Sequence, residues 1–106
     1  MSIDNWTGAE KKIARCAFDA AQEREFATLI KRLKEMAGKL ITSADAWDMH
    51  HFLSEQLRDI ERKYDYRYSQ LIWVFGRLMR ESWIDEKDIE GLAAEKVEAI
   101  RHIASY

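Results

Sequence analysis

His50 and His51 are as near as this chain comes to a metal-binding or acid–base pair. Adjacent residues on a helix point about 100° apart, so the two imidazoles cannot share a metal without ligands from elsewhere. The Glu and Glu-x-x-His pattern of a di-iron bundle is absent. Glu98 and His102 stand at i, i+4, which close to the C-terminus reads as a solvated helix pair. Cys16, the only cysteine, has no internal disulfide partner, and beside Ala17 and Phe18 it reads as a small buried hydrophobe rather than an activated thiol. No Gly-rich phosphate loop, Cys/His cluster or nucleophile elbow occurs, and the acidic pairs fall at helix starts, where capping explains them. The expectation is a protein that is not an enzyme and carries no cofactor and no metal.

The chemistry that remains is that of surfaces. Residues 45–80 hold Trp47 and Trp73, the tyrosines at 64, 66 and 68, and His50 and His51, interleaved with Arg and Asp. Large rigid rings with polar handles at this density carry binding energy at protein interfaces. Both tryptophans also have a plain reading as core residues. Trp47 favours the interface reading, because it sits in the first turn of a helix beside Asp48, His50 and His51, an awkward place for a purely internal ring.

The elements that present these residues are helical. The 106 residues include no Pro and only 4 Gly, so little interrupts helix and little favours strand; an all-α single domain of about four helices is expected. After a flexible tail at 1–6, Thr7 and Glu10 form a capping box, and a long helix runs over 8–40. Its apolar stripe, from Ile13 through Phe18, Phe26, Ile30 and Leu33 to Leu40, is longer than a compact domain of this size can cover, so part of it should protrude and pair with a second copy. Residues 44–106 then form a helical head. A second helix covers 44–63, with Thr42 or Ser43 as its cap and Asp45 and Asp48 in its first turn. A third, either capped by Asp65 or running on from the second with a bend, covers 66–81 and places the run Leu71 to Phe75 in the centre of the core, apolar on every side. The fourth begins at the Asp85 and Asp88 pair and covers 86–104.

Net charge near −2 offers no field that would draw in nucleic acid or an anionic membrane. The basic residues of the first helix are interrupted by acids at 10, 19, 23, 25 and 35, as on a mixed solvated face. No segment approaches about 18 uninterrupted apolar residues and the start lacks a cleavable leader, so the expected site is the cytoplasm, without membrane insertion. Charge is banded, acidic over 45–65 and 84–106 and basic over 66–83, which suits self-association or one specific protein partner.

The residues Ala46-Trp47-Asp48-Met49-His50, Phe52-Leu53-Ser54, Ile60, Lys63-Tyr64-Asp65, Arg67, Ser69, Ile72, Val74-Phe75, Leu78 and Leu92-Ala93-Ala94-Glu95-Lys96 keep one register, and this pattern resembles the fluorescence recovery protein family. The resemblance covers about the C-terminal two thirds of the chain. It implies an all-helical homodimer that binds photoactivated orange carotenoid protein, speeds its return to the resting form and helps detach it from the phycobilisome, ending energy quenching without cofactor or covalent chemistry. Among family residues tied to activity and dimer contact, Trp47 and His50 are kept, with an aromatic at Trp73. Three positions depart from the pattern: His51 stands where the family has an acid, Leu57 where it has Arg, and Ala99 where it has a basic residue. Other readings are a helical dimerisation or adaptor module whose Trp47 face binds a different protein, and a small-molecule or metal site inside the bundle.

Overall fold

The computed structural model describes residues 5–106. They form four helices, α1 (Gly8–Gly38), α2 (Ser43–Lys63), α3 (Leu71–Arg80) and α4 (Ala94–Ala104), and no strand occurs among the described residues. The N-terminal caps expected for α1 and α2 are present. Thr7 Oγ1 accepts from the Glu10 N–H at 3.1 Å while Glu10 Oε1 accepts from the Thr7 N–H at 3.1 Å. Thr42 and Asp45 repeat the exchange at 3.2 and 3.0 Å, and the Ile41 N–H also donates to Asp45. These bonds hold the Asp45 carboxyl below its usual range.

α1 and α2 pack as an antiparallel hairpin, Glu25 meeting Lys63, Leu29 near Ile60 and Arg32 lying over the Phe52 ring. α3 and α4 pack face to face at Gly76, where an added Cβ would stand 2.3 Å from Ile103 Cγ2. The core joins the N-terminal half of α1 (Ala14, Ala17, Phe18, Ala21) to α3 (Leu71, Ile72, Val74, Phe75, Leu78), to Ile84, Ile89 and Leu92 in the connection, and to Ile100. The whole measures 57 × 24 × 19 Å.

Several expectations need correction. With the head expected at 44–106, α2 gives no buried residue to the core cluster, whereas the N-terminal half of α1 does. Of the tail expected at 1–6, residues 1–4 lie outside the described residues, whereas Trp6 is buried, its Nε1–H donating to the Tyr68 carbonyl at 3.2 Å. The Lys96 ammonium lies 4.7 Å from that ring. Cys16 is exposed, not buried, because the core-facing positions of its turn are Ala14, Ala17 and Phe18.

The third helix starts at Leu71 rather than 66. Residues 64–70 are not helical, so that Tyr64 and Tyr66 can set their rings edge-on to Phe18 at 5.3 and 4.9 Å, and Asp65 pairs with Arg67 instead of capping. The fourth starts at Ala94 rather than 86. Asp85 and Asp88 do exchange N–H to carboxylate bonds, yet only turns follow, because Gly91 takes φ 102° against Ile13 Cδ1. Arg24 of α1 grips Asp88 at 2.9 and 3.2 Å and the Trp83 carbonyl at 2.9 Å, holding this connection to the long helix. Finally, the run Leu71 to Phe75 is not buried all round, since Trp73 points outward.

Candidate partner-binding faces

On α2, residues that meet α1 or its ion pairs recur as Phe52, Gln56, Ile60 and Lys63. At about 100° per residue, Trp47, His51, Ser54 and Arg58 fall on the opposite side of the helix. Trp47 is 64% exposed and sits edge-on to His50, ring centroids 5.9 Å apart, with His51 at 6.4 Å and the two imidazoles 5.7 Å from one another. The sequence therefore places Trp47, His50 and His51 in one exposed ring cluster, directed outward by the apolar residues that anchor the other side of the helix.

Leu57 is 41% exposed and stands on the flank of α2, next to half-buried Leu53. On α1, Phe26, Ile30, Leu33 and Ala37 form a row about 110° from the side that meets α2. Because the two helices run antiparallel, that row and the Leu53 and Leu57 flank lie on the same side of the hairpin. The opposite side is covered where Trp83 meets Phe52 and Gln56 and where Arg77 binds Asp59. The result is an apolar face, with Ile30 at 50% exposure, that nothing among the described residues covers. Leu40 and Ile41 continue it at the hairpin turn, both exposed.

Trp73 is 63% exposed and belongs to a second surface. It lines a groove of about 200 Å³ with Arg62, Asp65, Gln70, Val74 and Arg77, between the end of α2 and α3. Since Trp47 is 16 positions from Lys63, the far end of α2 lies roughly 24 Å along the helix from the Trp47 cluster. The six positions singled out in the sequence thus divide. Trp47, His50 and His51 come together, Leu57 borders the apolar face, Trp73 stands at the groove, and Ala99 lies on α4, half-buried against the core.

Sequence reasoning missed the buried ions. The Lys63 Nζ, its side chain 1% accessible, donates to Glu25 Oε2 at 2.6 Å and to Glu81 Oε1 at 2.7 Å. The Tyr64 hydroxyl donates to Glu25 Oε1 at 2.8 Å, and Arg77 binds both Glu81 and Asp59. Burial alone would raise the Glu81 carboxyl, but the bonds from Lys63 and Arg77 outweigh it and the net shift is downward; burial and the Glu25 bond push the Tyr64 phenol up. A second group joins Lys96 to Glu10 and to the Asn5 carbonyl. The available signal was a lysine on an apolar stripe, as at Lys96, where the plain meaning is a partner hidden in the core.

Among the described residues no group of three or more His, Cys, Asp or Glu is arranged to hold a metal ion, and no helix is long and apolar enough to cross a membrane. The described residues thus present two exposed aromatic surfaces and a bare apolar face, features of a kind found at protein interfaces.

Residues 6–104 match the family model described as photoprotection regulator fluorescence recovery protein. The fluorescence recovery protein of Synechocystis sp. (strain PCC 6803) is 33% identical over 99 residues, which cover 93% of this chain and 91% of that relative. The solved structure of the Fremyella diplosiphon fluorescence recovery protein superposes with a TM-score of 0.93 at 33% identity, covering 96% of this chain and all of that one. The Synechocystis sp. PCC 6803 structure gives 0.92 at 32% identity with the same coverage. The four-helix architecture is therefore the one these proteins share, and the chain belongs to the fluorescence recovery protein family of photoprotection regulators.

Proposed function

We propose that this protein is a non-enzymatic regulator that binds photoactivated orange carotenoid protein in the cytoplasm and accelerates its return to the resting form, ending quenching at the phycobilisome. The observation that carries the reading is the exposure of Trp47 in its cluster with His50, on a chain that belongs to this family. The physical task is selective: a protein that bound one end state would only shift a population. Faster relaxation requires that the partly re-docked arrangement be bound better than the separated one. Two aromatic surfaces, about the length of a small domain apart, suit that task by holding two parts of a partner at once.

The active unit is a homodimer closed through the apolar face of the hairpin. Phe26, Ile30, Leu33 and Leu53 present both helices to a second copy about a two-fold axis, with Leu57 at the border of the set, and no charged residue interrupts it.

A helical adaptor with a different protein partner is the second reading, favoured by His51, Leu57 and Ala99, each of which replaces a charge of the family pattern. The test is recovery of photoactivated orange carotenoid protein followed by absorbance, with the unmodified protein and with Trp47→Ala. Acceleration that is weak but lost in Trp47→Ala supports the regulator. No acceleration and no complex on size-exclusion chromatography supports the adaptor.

A further inference from the structure

We propose that Lys63 is a positioning residue that fixes the orientation of α2, and with it the Trp47 cluster, relative to the Trp73 groove. The inference rests on the reading that both surfaces engage one partner. α2 adds no buried residue to the core cluster, and its one buried apolar side chain, Ile60, lies by Leu29 of α1. What ties its C-terminal end to the segment after α3 is charge. Lys63 is clamped between Glu25 of α1 and Glu81, which follows α3, at 2.6 and 2.7 Å. The clamp is itself held in place. Tyr64 donates to the free oxygen of Glu25, the Trp83 Nε1–H donates to Glu81 at 3.2 Å, and Arg77 spans Glu81 and Asp59.

Charge-assisted bonds of this kind are short and directional, whereas apolar contacts tolerate sliding. Lys63 and Arg77 also line the Trp73 groove, so the residues that hold α2 in place shape the second surface as well. A network of this kind fixes one relative orientation out of several that apolar packing alone would permit.

The test measures that orientation directly. Spin labels are placed at Glu55→Cys on α2 and Glu95→Cys on α4, both exposed, in a Cys16→Ser background, and the labelled chain is diluted with unlabelled protein so that only distances within one protomer are read. The parent should give one narrow distance distribution. Lys63→Met and Glu81→Ala should lose the single narrow maximum while circular dichroism keeps its helical signal. Should Lys63→Met fail to fold, Glu81→Ala decides, because Glu81 is partly accessible and its loss leaves the Lys63 to Glu25 pair. An unchanged narrow maximum in a folded variant overturns the proposal. The distances are measured without a partner, so absence of any effect on orange carotenoid protein would overturn the proposed function and leave this result standing. If the protein does accelerate recovery, the variants should need more protein for half-maximal effect, with Trp47 and Trp73 still in place.

Discussion

Lys96 and Glu10 are separated by 86 positions in the sequence and by 2.8 Å in space. Glu10 also completes the capping box of α1 and accepts the Ala93 N–H at 2.9 Å, so one carboxylate closes the start of the first helix and the start of the last, while Lys96 holds the N-terminal segment through the Asn5 carbonyl and the Trp6 ring. Removing one partner of a buried pair leaves the other charge uncompensated, so Lys96→Met should cost about 3–5 kcal/mol, read as a lower urea midpoint.

The same carboxylate sets an acid limit. Burial alone would raise the Glu10 carboxyl, but the Lys96, Ala93 and Thr7 bonds outweigh it and hold it at about 2, below its ordinary value of 4.5. A depressed pKa means the stabilisation is fully present above the unfolded value and is lost as pH falls towards the folded one. Thermal midpoints should therefore decline between about pH 4.5 and 2, and Glu10→Gln should flatten that decline while lowering stability at pH 7.

Gly76 lets α3 and α4 approach. Gly76→Ala would set a Cβ 2.3 Å from Ile103 Cγ2 and should destabilise by about 1–3 kcal/mol by overpacking. Ile103→Ala in the same chain should recover only part of that loss, since it removes Cγ2 but keeps the Ile103 Cβ, 2.6 Å from the added carbon. Chemical denaturation of the two single variants and the double variant measures the coupling.

Ser82 occupies left-handed backbone at φ 68°, where α3 ends with Trp83 N–H donating to the Leu78 carbonyl at 2.8 Å and Ser82 N–H to Met79 at 3.0 Å. Glycine adopts this conformation without the Cβ conflict. Ser82→Gly should stabilise by about 0.5–1 kcal/mol, seen as a thermal midpoint several degrees higher.

For the dimer, Ile30→Glu puts a charge in the middle of the bare face at a position already 50% exposed, so the protomer fold should survive. Light scattering should then report the 12.5 kDa monomer at micromolar concentration, where the parent reports twice that mass.

The departures from the family pattern carry the functional prediction. An imidazole and an isobutyl group cannot copy the directional bonds of a carboxylate and a guanidinium. His51→Asp with Leu57→Arg should raise the recovery rate of photoactivated orange carotenoid protein tenfold or more, a desolvated charged contact being worth about 2–5 kcal/mol. No gain in the double variant would mean that the partner surface differs at further positions.

Local physics was legible in the residues themselves. Thr7 with Glu10 and Thr42 with Asp45 announce helix starts, the lack of Pro leaves long helices unbroken, and the α1 stripe exceeds what one head can bury. Trp47 beside His50 and Asp48 already argued for an exposed ring, because neighbouring positions on a helix fix which side a residue faces. What the residues did not determine depends on groups far apart in the chain. Asp85 and Asp88 have the pattern of a helix start, yet Gly91 meets Ile13 and Arg24 takes Asp88, so α4 begins only at Ala94. Leu71 to Phe75 reads as apolar on all sides, and only the packing of α3 on α4 and α1 determines that Trp73 is the residue left outside. Lys63 looks like a surface lysine, and Lys96 like an unpartnered lysine on an apolar stripe, until the fold brings Glu25 and Glu81 to the one and Glu10 to the other. A buried charge is tolerable only with its partner in place, and which partner arrives is settled by tertiary structure alone.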